Sequence, residues 1–135
     1  MKKRSHYLLC TLFIFVIIFS VFASIAKSLG LFTTQLLTLE HHAGGDQMLH
    51  FVLSLLISYF SFWIIPNQLN YTPRSIINRI TLLLLLLVTL DEGAQYFLPT
   101  RQFSWLDMGA NWSGILCGTT LSYITVTIYK KLAKK

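Results

Sequence analysis

Apolar positions along this chain fall into four blocks divided by short polar breaks. The first runs from Tyr7 to Ala26 and meets no charge before Lys27. The second covers residues 48–65 and closes at Pro66. The third covers about 76–97, includes six consecutive leucines from Leu82 to Leu87, and closes at Pro99. The fourth covers 105–129 and closes at a basic tail. A helix needs about 20 apolar residues to cross a hydrocarbon core of about 30 Å, and prolines and polar clusters mark element ends. The pattern therefore predicts an all-α integral membrane bundle of four transmembrane helices, forming one domain over residues 1–135. Only the stretch from Lys27 to Gln47 is a long connection, and part of it is expected to lie along the membrane interface. The opening MKKR and the apolar run behind it also fit a signal peptide. That run outlasts the usual h-region of about 7–15 residues, so the first span is read as a retained helix.

Composition strengthens the membrane reading. Hydrophobic residues make up 54% of the chain and charged residues 12%, whereas soluble domains carry about 25% charged residues. A soluble domain of 135 residues has too little interior to hide so much apolar surface. The net charge of +6 does not point to nucleic acid, because the basic residues cluster at the two ends of the chain. Such clusters beside apolar spans face the cytoplasm and its anionic lipid. With both termini cytoplasmic, every lysine and arginine except Lys27 and Arg101 falls inside. All five acids, Glu40, Asp46, Asp91, Glu92 and Asp107, then fall toward the outer face, with His41, His42 and His50. The two cysteines, Cys10 and Cys117, sit in apolar spans without a pairing pattern and read as small hydrophobes.

The polar residues near the outer ends form three groups. Asp46 and His50 are one helical turn apart at the start of the second span, where the carboxylate orients the imidazole or caps the helix. Asp91 and Gln95 share a face near the end of the third span, with Glu92 rotated by about 100° toward Tyr96. Asp107, Asn111, Gly114 and Gly118 step along one stripe of the fourth. Ala110, Gly114 and Gly118 make a small-xxx-small row that admits a neighbouring helix closely. Carboxylates at this depth are costly unless they face a partner, water or the bundle interior. Arg101 lies between the third and fourth spans and is suited to bind those acids or to grip a phosphate. Tyr96, Trp105 and Trp112 read as an interfacial aromatic belt.

In order and spacing these pieces resemble the VanZ-like membrane proteins. The resemblance rests on Asp46 with His50-Phe51, on Asp91-Glu92-Gly93-Ala94-Gln95 followed by Pro99 and Arg101, and on Asp107-Met108-Gly109-Ala110-Asn111 with Gly114 and Gly118. It spans about Gly45 to Gly118. Gln47 departs from the pattern, which often has lysine there. The resemblance implies a bacterial cytoplasmic-membrane location and a link to susceptibility to teicoplanin, a lipoglycopeptide acting at the outer cell surface. It supplies no reaction.

Four readings follow. In the first, the pocket formed by Asp46, His50, Asp91, Glu92, Gln95, Arg101, Asp107 and Asn111 binds a membrane lipid headgroup, a lipid-linked cell-wall intermediate or a lipoglycopeptide. In the second, the acids and His50 serve a small membrane-embedded hydrolase as a general acid–base pair or as oxygen ligands. No nucleophile motif and no two-histidine pair accompany them, so no metal and no cofactor are expected and catalysis is the lesser reading. A monomeric conduit is disfavoured, because the charged groups stop in the outer half; the oligomeric state stays open. A purely structural polar core is the fourth reading.

Overall fold

The computed structural model describes residues 3–64, 79–98, 101 and 103–132, with side chains from residue 7 onward. Those residues form five helices and no strand: α1 (Lys3–Ser28), α2 (Thr33–Ala43), α3 (Asp46–Ile64), α4 (Arg79–Gln95) and α5 (Trp105–Leu132). The chain is thus all-α, as its periodicity predicts. The second span's end at residue 65, the third span's start at 76, Pro66, Arg74, Pro99 and the basic residues Lys2, Lys134 and Lys135 lie outside the described residues.

Two helices are long and apolar enough to cross a membrane, over Tyr7–Ser28 and Asp46–Ile64. As described, α4 has 17 residues. α5 has 28, but a polar stripe interrupts its apolar sequence. The long connection holds a helix of its own, α2, none of whose residues is buried. Gly44 and Gly45 end it at φ 93° and 109°, a region that glycine enters without the Cβ penalty. There the Gly45 N–H donates to the Glu40 carbonyl at 2.7 Å, and the chain turns directly into α3.

α3 and α5 run parallel and form the centre of the bundle. α1 and α4 run the other way and pack on this pair, α1 against α3 and α4 chiefly against α5, while barely meeting each other. The ends of α1 and α4 and the starts of α3 and α5 therefore gather at one polar end.

The central contact is unusually close. A Cβ added at Gly114 or Gly118 would run into the carbonyl oxygens of Phe51 and Leu55, with Ser54 Cβ and Ser58 Cβ each at 3.0 Å. Such proximity lets small hydroxyls bond across the seam. Ser58 Oγ donates to the Ile115 carbonyl at 2.9 Å and so accepts from Thr119 Oγ1 at 2.8 Å. Ser122 Oγ donates to the Tyr59 carbonyl at 2.6 Å.

Polarity is inverted relative to a soluble fold. Among the described residues ten buried side chains are polar or charged and four are hydrophobic, whereas soluble interiors favour Leu, Ile, Val and Phe. Leucine, isoleucine and phenylalanine instead cover the outside of α1 and α4.

Candidate functional site

Two linked polar assemblies occupy the polar end. The first fixes the turn between α4 and α5. Glu92 is fully buried. Its Oε1 accepts the Ser104 backbone N–H at 3.0 Å and its Oε2 accepts from Gln95 Nε2 at 3.0 Å. Gln95 Oε1 in turn accepts from Arg101 Nε and Nη2, at 3.1 and 2.7 Å. Arg101 Nη1 reaches the Ser24 carbonyl at 3.5 Å, which ties the turn back to α1. Ser104 caps α5, its Oγ accepting the Asp107 N–H at 3.2 Å. In a capping box the acid three residues on would bond back to the N-cap N–H. Glu92 takes that place here, which leaves the Asp107 carboxylate to face α3.

The expected pairing on α4 is corrected in one respect. Gln95 bonds to Glu92 rather than standing with Asp91, and Glu92 turns inward rather than toward Tyr96, which is exposed. The reason is the three-residue step from Glu92 to Gln95, which stacks the two side chains on the face that meets α5. Asp91 lies beside that face and lines a cavity.

The second assembly is a chain of polar contacts across four helices. Ser54 Oγ donates to Asn111 Oδ1 at 2.6 Å. The Asn111 amide nitrogen lies 3.3 Å from His50 Nδ1. His50 Nε2 lies 3.5 Å from Asp46 Oδ1. Lys27 Nζ then bridges Asp46 Oδ2 at 2.6 Å and Glu40 Oε1 at 2.7 Å. Asp107 stands beside this chain, with Oδ1 accepting from Gln47 Nε2 at 3.1 Å. The amide orientation that suits Ser54 makes Asn111 a donor to Nδ1, so the imidazole proton sits on Nε2, toward Asp46. Asp46 opens α3, but its carboxylate is engaged by Lys27 and His50.

A cavity of about 110 Å³ lies within this assembly, lined by Lys27, Glu40, Asp46, His50, Asp91, Arg101 and Asn111 with apolar neighbours. A second cavity of about 300 Å³ continues from it, walled mainly by apolar residues such as Ile17, Val21, Leu84, Leu87 and Ile115. Ser20, Ser24, Ser54, Ile57, Val88 and Asp91 line both. The two form one hollow, polar at the helix ends and apolar below, placed where α1 and α4 barely meet.

Five of the eight pocket residues expected from sequence line the polar cavity: Asp46, His50, Asp91, Arg101 and Asn111. Glu92 and Gln95 stand behind Arg101 and hold it, and Asp107 stands behind His50. Gly114 and Gly118 form the helix contact; Ala110 is half-buried beside them. Sequence reasoning missed Lys27 and Glu40 as pocket walls. It also missed Ser104, whose Ser-x-x-Asp spacing is a capping signature, and the row Ser54, Ser58 and Ser61, whose 4- and 3-residue steps mark a helix seam. Trp105 is exposed, and Trp112 Nε1 donates to Thr89 Oγ1 at 3.0 Å. Comparison with protein-family models, curated proteins and solved structures gave no match.

Proposed function

We propose that this chain is a multi-pass protein of the bacterial cytoplasmic membrane, with four crossing helices and both termini in the cytoplasm. Its outward-facing pocket binds the head of an envelope lipid or of a lipid-linked cell-wall intermediate. One observation carries this reading: the polar and apolar cavities share six lining residues and form one amphipathic hollow beside the gap between α1 and α4. A lipid matches that profile, with its head among Lys27, His50 and Arg101 and its chain along Ile17, Leu84 and Leu87. Arg101 is the natural contact for an anionic head, because its described partners, Gln95 and the Ser24 carbonyl, are all neutral. The polar interior and apolar exterior suit a bilayer, and the basic chain ends favour the stated orientation.

The test is lipid extraction and mass spectrometry of the purified protein. Wild type is expected to retain an anionic lipid that Arg101→Ala loses. Equal retention by wild type, Arg101→Ala and Asp91→Asn would overturn the reading. On the VanZ-like resemblance, the pocket also acts on teicoplanin susceptibility. Wild type then raises resistance in a sensitive Gram-positive host, and Asp91→Asn at equal membrane level does not. Three matching susceptibilities, including the host alone, would remove that part of the proposal.

A second reading, a small membrane-embedded hydrolase of lipid-linked substrates, draws on the Asp46–His50 pair in the cavity wall. It requires product release from a lipid-linked phosphate or ester that His50→Gln abolishes.

A further inference from the structure

The fold brings together three ligand-bearing side chains that spacing alone does not connect. The carboxylates of Asp46 and Asp107 and the imidazole of His50 each offer one atom, and these atoms lie within 4.8 Å of one another. Two come from the first turns of α3 and one from the first turn of α5. We infer that Asp46, His50 and Asp107 form a divalent transition-metal site, of zinc-binding chemistry, at the polar end of the α3–α5 pair.

Three observations converge on it. The first is spacing. His50 Nε2 and Asp46 Oδ1 are 3.5 Å apart, too long for a good hydrogen bond. Two ligands held about 2.0–2.1 Å from a tetrahedral zinc ion stand about 3.4 Å apart, so this pair is already at the separation that such an ion sets. An Asp107 carboxylate oxygen lies within 4.8 Å of both. The second is the state of Asp107. It is 7% exposed, its Oδ1 is met by the neutral Gln47 amide, and its Oδ2 has no hydrogen bond among the described residues. Among the described residues no lysine, arginine or histidine forms an ion pair with it. The third is charge. Glu40, Asp46 and Asp107 face one ammonium, that of Lys27, which already spans Glu40 and Asp46. The formal excess is that of two carboxylates, which a divalent ion matches.

The surroundings suit a ligating histidine. Coordination through Nε2 places the imidazole proton on Nδ1, which needs an acceptor to fix the ring. Asn111 provides one by turning its amide, so that its oxygen faces Nδ1 and its nitrogen donates to Ser54 Oγ. One imidazole with two carboxylates favours zinc or a neighbouring first-row ion over calcium or magnesium, which prefer all-oxygen shells. The site shares Asp46 and His50 with the wall of the polar cavity, but it needs no amphiphile and goes beyond the lipid reading.

The experiment uses full-length protein purified in detergent without a histidine tag. It is titrated with zinc against a chromophoric competitor, and with cobalt for its visible absorption bands. The expected result is one ion per chain, with cobalt bands of a nitrogen–oxygen shell. Asp107→Asn and His50→Gln should each weaken binding by at least roughly tenfold and remove the bands. His41→Ala/His42→Ala, which strips the exposed histidines of α2, should leave both unchanged. Helical content by circular dichroism guards against misfolding, and Gly109→Ala, whose added Cβ meets nothing within 4 Å, keeps all three ligands and must still bind. Absence of stoichiometric binding by wild type would overturn the site. So would binding that survives Asp107→Asn, or binding that disappears with His41→Ala/His42→Ala.

Discussion

Replacing Gly118 by alanine tests the architecture at its tightest point. The added Cβ would press on the Leu55 carbonyl oxygen, with Ser58 Cβ at 3.0 Å and the Leu55 carbonyl carbon at 3.1 Å. These are mostly backbone atoms of a regular helix, so a rotamer change cannot relieve the clash. α3 and α5 must part by about 1 Å to restore ordinary contact. Overpacking of this kind costs about 1–3 kcal/mol. The separation also stretches Ser54–Asn111, Ser58–Ile115, Ser58–Thr119 and Ser122–Tyr59. Interhelical hydrogen bonds in membranes are worth about 0.6 kcal/mol each, and weakening several brings the expected loss to roughly 2–4 kcal/mol. The assay is reversible unfolding in mixed micelles, followed by circular dichroism. Gly109→Ala is the internal control: nothing lies within 4 Å of its added Cβ, and alanine favours the helix by up to about 1 kcal/mol. If Gly118→Ala unfolds within about 0.5 kcal/mol of Gly109→Ala, helix contact at the glycine seam is not what holds the bundle.

Four further outcomes follow from the same geometry. Glu92→Gln sets an amide donor against Gln95 Nε2 and should destabilise the bundle by about 1–3 kcal/mol in the same unfolding assay; no change would mean that Glu92 does not fasten the α4–α5 turn. Ser54→Ala removes the hydroxyl on Asn111 and should cost about 0.5–1.5 kcal/mol, with a shifted His50 resonance by NMR. Lys27→Met leaves Glu40 and Asp46 without their shared cation; amide exchange over residues 33–43 should then quicken by roughly tenfold, and unchanged exchange would show that the bridge does not hold α2. Because α1 supplies Ser20, Ser24 and Lys27 to the hollow, the intact mass of membrane-extracted protein should include α1, and loss of about 25 residues, as in signal-peptide removal, would defeat the proposed pocket.

The sequence by itself determined the helical class and most of the helix positions. Apolar blocks bounded by prolines, glycines and charges leave the backbone one way to satisfy its hydrogen bonds in an apolar setting, and that way is helical. It also marked the glycine stripe on α5, because Gly114 and Gly118 sit one turn apart below Asn111, and it grouped the acids near one end. Partner choice lay beyond it. Whether Asp91 or Glu92 turns inward depends on which face of α4 meets α5, and an apolar face of six leucines gives no rotational signal. Lys27 looked like a boundary charge until the turn at Gly44 and Gly45 brought Glu40 and Asp46 onto it. His50 and Asp107, 57 residues apart in number, became neighbours only because the glycines let α3 and α5 run parallel in close contact. Periodicity along one helix records which side is apolar; it carries no record of the neighbour or of the register, and those two decided the site.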